Sequence, residues 1–156
     1  MLFQAVTMFF EEMDWPFEHV EGQEGVLQTW YEGANGVFVC FCHCREDAQQ
    51  ILFYVVAHER CPEEYLSAMA EFLTRANFGM LIGNFEMDYS DGEVRYKASI
   101  DLEDAGMSNA LLRNLVVAAS TTFDRYYTGF QAVASGSMSA VEAIVQVESA
   151  VVLGEA

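Results

Sequence analysis

The chain has 156 residues, 53% of them hydrophobic and 13% aromatic, which suits one buried core and excludes a disordered chain. Acidic side chains number 24 against 7 basic ones, a net charge of −17, and Lys97 is the sole lysine. Such a balance argues against nucleic-acid or anionic-membrane binding, which need clustered lysine and arginine, and leaves plain solubility or a protein partner with a basic surface.

The opening "MLFQAVTMFFEEMDWP" has neither a basic n-region nor a small-residue cleavage site, so no signal peptide is expected. The apolar runs "ILFYVV" and "LVVAAS" are too short to span a membrane, and the four cysteines read as reduced thiols of a cytoplasmic protein. Leu2, Phe3, Val6, Phe9, Phe10 and Met13 recur at helical spacing, and Pro16 ends that helix. The period then changes to two, predicting strands over 26–32, 36–44 and 49–57. Asn35-Gly36 suits a hairpin turn because both residues tolerate positive φ. "ILFYVV" is apolar on both faces, which predicts a central strand covered on both sides.

Pro62 opens the next helix, with Leu66, Met69, Leu73 and Ala76 as its buried stripe and Asn77 and Gly79 as stop signals. "GMLIG" (79–83) reads as a strand with two glycines. A hairpin centred on Asp91-Gly92 pairs Asp88 with Arg95, Glu86 with Lys97, Met87 with Tyr96 and Phe85 with Ala98. From Ser108 to Ala134 runs a helical pattern roughly 40 Å long, more than a small sheet needs for cover. Its broad apolar surface marks Leu112, Leu115, Ala119, Phe123, Tyr126 and Tyr127 as a candidate dimer interface. Ser139 and Glu142 form a capping box for a last helix carrying Val141, Ile144, Val145 and Val147. The order helix–strands–helix–hairpin–helices predicts one α+β domain over 1–156, an antiparallel sheet with helices packed on it.

The run "EFLTRANFGMLIGNFEMDYSDGEVRYKASID" (71–101) resembles the YbjN-domain family, especially its cyanobacterial-type members. In that family a helix ending in "FLTRAN" leads into a "GNFE" strand, a "DGE" turn and an "RYK" strand, and a late "SAVEAIVQVE" segment also fits. The resemblance implies a fold like that of the type III secretion chaperones, often dimeric, and a label of sensory-transduction regulator with no defined activity or catalytic residue. The matching positions are Thr74, Arg75, Asn77, Gly83, Asn84, Glu86, Gly92, Arg95, Tyr96 and Lys97. Of these, Arg75, Asn77, Asn84, Glu86, Arg95 and Lys97 are candidates for a recognition surface, the alternative being the framework of a helix and hairpin. The cysteine stretch "CFCHC" departs from the family's pattern, which counts against a shared metal site.

On a strand, Cys40, Cys42 and Cys44 point to one face and His43 to the other. Cys40 and Cys44 then lie roughly 13 Å apart at the α carbon, whereas a tetrahedral zinc needs its sulfurs within roughly 4 Å of one another. The thiols therefore read as small buried hydrophobes, with a dimer-bridging metal or redox sensing as the alternatives. Cys61, at the start of the helix begun by Pro62 and three residues after His58, is either an activated nucleophile or a plain loop thiol; Glu63 and Glu64 favour the latter. "DLEDAG" (101–106) lacks the spacing of a calcium hand and reads as a solvated acidic loop. With no catalytic constellation and no cofactor expected, the reading is a non-enzymatic, homodimeric protein-binding module, a chaperone-like adaptor or regulator. The alternative is a small-molecule, metal or redox sensor using the sheet face and the Cys40–Cys44 strand.

Overall fold

The computed structural model describes residues 1–154, with side chains described through Ala150. In chain order the elements are α1 (Leu2–Glu12), β1 (Phe17–His19), β2 (Val26–Glu32), β3 (Val37–Arg45), β4 (Gln50–Val56), α2 (Leu66–Asn77), β5 (Asn84–Met87), β6 (Val94–Asp101), α3 (Asn109–Ala134) and α4 (Ala140–Gly154). The six strands form one antiparallel sheet in the order β1-β2-β3-β4-β6-β5. This is the α+β architecture expected from the sequence, an antiparallel sheet with helices packed on it.

Alternation along each strand sends Leu27, Phe38, Cys40, Cys42, Phe53 and Tyr96 to one face, where all are fully buried. The helices pack there: Phe38 meets Phe123 and Tyr127 of α3 edge-on at 4.9 and 4.8 Å, and Phe17 sits 6.0 Å from Phe10 of α1. The other face carries Trp30, Val39, Phe41, Leu52, Tyr54 and Val56, all half-buried. β4 is central as predicted, but it is covered on one side only.

Local chemistry sets the ends. Glu46, in the β3–β4 turn, caps α1 by accepting the backbone N–H groups of Leu2 (3.0 Å) and Phe3 (2.7 Å). Ser108 accepts from Leu111 N–H at the start of α3. The Ser139–Glu142 capping box forms in both directions, at 2.8 and 3.2 Å. At Gly129 an added Cβ would lie 2.7 Å from Phe72 and 2.9 Å from Val147, so its bare backbone is what lets α2, α3 and α4 meet.

Four expectations are corrected. The α3 residues Leu112, Leu115, Ala119, Phe123, Tyr126 and Tyr127 are at most 6% exposed, because α3 lies between the sheet, α2 and α4 and spends its broad apolar surface inside the chain. "GMLIG" is a loop, with Leu81 97% exposed, not a strand. The last hairpin is paired two residues away from the predicted register, Met87 with Val94, Glu86 with Arg95, Phe85 with Tyr96 and Asn84 with Lys97. Its loop is Tyr89–Gly92, closed between Asp88 and Glu93 and held by Ser90 bonding the Asp88 carboxylate; an even shift leaves every face assignment intact. The β2–β3 turn uses no positive φ at Asn35 or Gly36. Instead the carboxylate of Asp124, buried on α3, accepts Ala34 N–H (3.0 Å) and Asn35 N–H (2.8 Å) and pins the turn to the helix. β1 was not foreseen: three residues are too few for a period, and its pairing with β2 is supported from α1 through Phe10–Phe17 and Phe3–His19 contacts.

Candidate functional site

The motif residues from α2 to β6 separate into three groups. Asn77, the last residue of α2, turns its amide to β5: its Oδ1 accepts Phe85 N–H at 2.7 Å and its Nδ2 donates to Phe85 C=O at 3.0 Å. It thereby stands in for a neighbouring strand and blocks the edge of the sheet at that residue. Asn84 is exposed, its amide donating to the same carbonyl at 3.1 Å.

The second group lies on the outer sheet face. Glu86 on β5 receives Arg95 directly opposite and Lys97, at 2.9 Å, diagonally. Arg95 also lays its guanidinium 4.4 Å from the centre of the Tyr54 ring. Burial works against the charge on Glu86, yet the hydrogen bonds from Lys97 and Arg95 outweigh it and hold its carboxyl below the usual range. Arg75 stands apart, paired with Glu71 one turn earlier on the exposed side of α2. These six positions therefore do not converge on one point.

What the motif residues frame is a loop that the sequence reading misassigned. Between Asn77 and Asn84, Phe78 is 92% and Leu81 97% exposed, with Ile82 also exposed. The loop is anchored by the Asn77–Phe85 bonds and by the buried Tyr96, whose hydroxyl donates to Ile82 C=O. Behind it runs a groove of about 420 Å³ whose far wall is Ala118, Thr122 and Arg125 of α3. The glycines flanking the segment were a legible signal for a loop; that its apolar side chains face outward was not.

The thiols face the helices. Cys40, Cys42 and Cys44 are 0, 0 and 4% exposed, on the opposite face from His43. Burial pushes the Cys40 thiol up to about 12, and a hydrogen bond with Cys44 together with burial raises Cys42 well above its ordinary value. Cys61 is buried too, with its thiol raised by that burial, while His58 bonds Val37 C=O at 2.6 Å. Burial thus works against thiolate formation at Cys40, Cys42 and Cys61, and the open sheet face that the sensor reading needs carries none of the thiols. Among the described residues no three His, Cys, Asp or Glu side chains are grouped to hold a metal ion. Asp101 receives Gln50 Nε2 at 2.9 Å and Glu103 N–H at 3.0 Å, so "DLEDAG" is a turn closed on its own first carboxylate.

Among the described residues no helix is long and apolar enough to cross a membrane. A family model described as "Putative bacterial sensory transduction regulator" matches residues 3–132, from the first turn of α1 almost to the end of α3. The crystal structure of "YbjN, a putative transcription regulator from E. coli", superposes with a TM-score of 0.61 at 13% identity, covering 78% of this chain and 85% of that one. At that identity the likeness concerns the fold alone. The HopA1–SchA chaperone–effector complex superposes with a TM-score of 0.48 at 17% identity, covering 80% and 91%, too low to carry the fold further. No curated protein matches the chain.

Proposed function

The chain belongs to the YbjN family, and on that premise we propose that it is a non-enzymatic protein-binding regulator, a chaperone-like adaptor that works in the cytoplasm as a homodimer, with 1–156 as one domain. The observation that carries this reading is the loop Phe78–Ile82. Leaving a phenylalanine or leucine in water forgoes about 1.5–3 kcal/mol of burial for each side chain. Here both stay in solvent along the near wall of the adjacent groove, with the loop anchored at its two ends. A contiguous apolar projection on so acidic a chain fits a partner that supplies an apolar segment for the loop and groove and basic groups for the surrounding carboxylates. Asn77 anchors the loop and Asn84 bounds it, whereas Arg75, Glu86, Arg95 and Lys97 form ion pairs beside it, on α2 and the outer sheet face.

Affinity capture of the tagged protein from its own lysate tests this, run beside a Phe78→Ser/Leu81→Ser variant shown by circular dichroism to be folded. Wild type is expected to enrich one partner that dissociates as salt is raised, and the variant to lose it. Capture that the variant retains, or no partner with wild type, overturns the reading.

A further inference from the structure

The outer sheet face is the one large surface of the strands on which no described helix packs. Its centre is apolar and aromatic, Trp30, Val39, Phe41, Leu52, Tyr54 and Val56, the residue types that dominate interface energies. Its charge also differs from that of the rest of the chain. Three of the seven Lys and Arg residues (Arg45, Arg95, Lys97) lie on it, but only four of the 24 Asp and Glu residues (Glu18, Glu32, Glu86, Asp101). That leaves four basic and 20 acidic groups for the remainder, so two copies meet least repulsion here.

The charges are also unevenly placed across the face. Glu18 and Glu32 sit on β1 and β2 with no basic residue on those strands, whereas Arg95 and Lys97 on β6 balance Glu86 of β5 and Asp101 of β6, and Arg45 ends β3. We propose that this face is the homodimer interface, two copies stacking sheet on sheet about a two-fold axis parallel to the strands and placed between β3 and β4. This rests on the dimeric reading above and names the surface that serves it. Such an axis lays β3 on the partner's β4 and β2 on the partner's β6. Along the rows set by the strand register, Phe41 then faces the partner's Tyr54, Trp30 faces the partner's Arg95, and Gln28, beside Glu18, faces the partner's Lys97. An in-plane axis across the strands would put like charges opposite each other instead. The 38 strand residues, at about 4.8 Å by about 3.3 Å each, give roughly 600 Å² per copy, and the pair clears the roughly 1,000 Å² of a specific interface.

Because Lys97 is the sole lysine, a zero-length carbodiimide joining amines to carboxylates reads the geometry directly. In a mixture of nitrogen-14 and nitrogen-15 protein, mass spectrometry is expected to find mixed-label peptides joining Lys97 to Glu18. Sedimentation at tens of micromolar should show a dimer, its dissociation constant raised at least about tenfold by Tyr54→Glu. A strict monomer would sink both this interface and the homodimer while leaving partner capture standing. A dimer indifferent to Tyr54→Glu, or one that gives no mixed-label Lys97 peptide once Glu86→Gln has removed the carboxylate that Lys97 meets in its own chain, would sink this interface alone.

Discussion

Along β3 two environments alternate residue by residue. Cys40, Cys42 and Cys44 face the helices and are all but inaccessible, whereas Val39, Phe41 and His43, on the other side of the same strand, are half-buried with no helix over them. Both faces are largely apolar. Hydrophobicity therefore did not decide which face became the core; what decided it was the side on which α1 and α3 docked. The thiols, the most chemically suggestive residues in the sequence, were consumed as packing, and the plainer face was left open.

The sharpest way to break this contrast is to remove the same side chain from each face. Phe38, fully buried between Phe123 and Tyr127, should cost about 3–5 kcal/mol on Phe38→Ala. Phe41→Ala, three residues along, should cost about 1 kcal/mol or less in urea titrations dilute enough to keep the chain monomeric. Equal losses would mean that the two faces are packed alike.

Anchoring of the sheet to the helices gives the next effect. Asp124→Ala leaves the Ala34 and Asn35 N–H groups without their charged acceptor and should cost about 2–3 kcal/mol, with backbone exchange rising first at residues 33–36. Unchanged exchange in that turn would refute the anchor.

The thiols make a prediction about pH. The Cys40 thiol stands at about 12 when folded against an ordinary 9.0. Between those values the unfolded chain has released the proton and the folded chain still holds it. The stabilisation is thus complete below about pH 9 and declines as pH rises towards 12. Tyr127, raised to about 12 by burial and by Glu59, acts in the same direction from 10 upward. A thiolate-selective reagent at pH 8 should accordingly label the native thiols far more slowly than the urea-unfolded ones. Comparable rates would place a thiol on the accessible face.

The smallest expected change lies outside the sheet. Ser139→Ala removes one half of the α4 capping box and should lower stability by about 1 kcal/mol, read by thermal melts. No loss at all would mean that α4 is held by its packing alone.

Much of this was legible in the chain. Strand β2 came out at 26–32, the periods of α1 and α3 were clear, and the capping box at Ser139 formed as read, because these features depend on near neighbours in the chain. The hairpin register failed by two residues because Asp88 and Ser90 built a four-residue loop where the Asp91-Gly92 pair suggested a tight one. Gly92 is needed all the same: it has φ +75°, and a Cβ there would lie 2.2 Å from Cys61 C=O, a contact 31 residues away in sequence.

By itself, then, the sequence determined the elements other than β1, their order, the inward alternation of the longer strands and the family motif. Period, capping and turn chemistry are short-range properties and need no partner. Tertiary structure alone decided that the apolar surface of α3 is spent within the chain, that Asn77 seals the β5 edge, that Phe78 and Leu81 are held in solvent and that one sheet face stays open. Each of these depends on which surfaces meet after the chain has folded back on itself, and an apolar residue carries the same hydrophobicity whether a helix, a second copy or only water covers it.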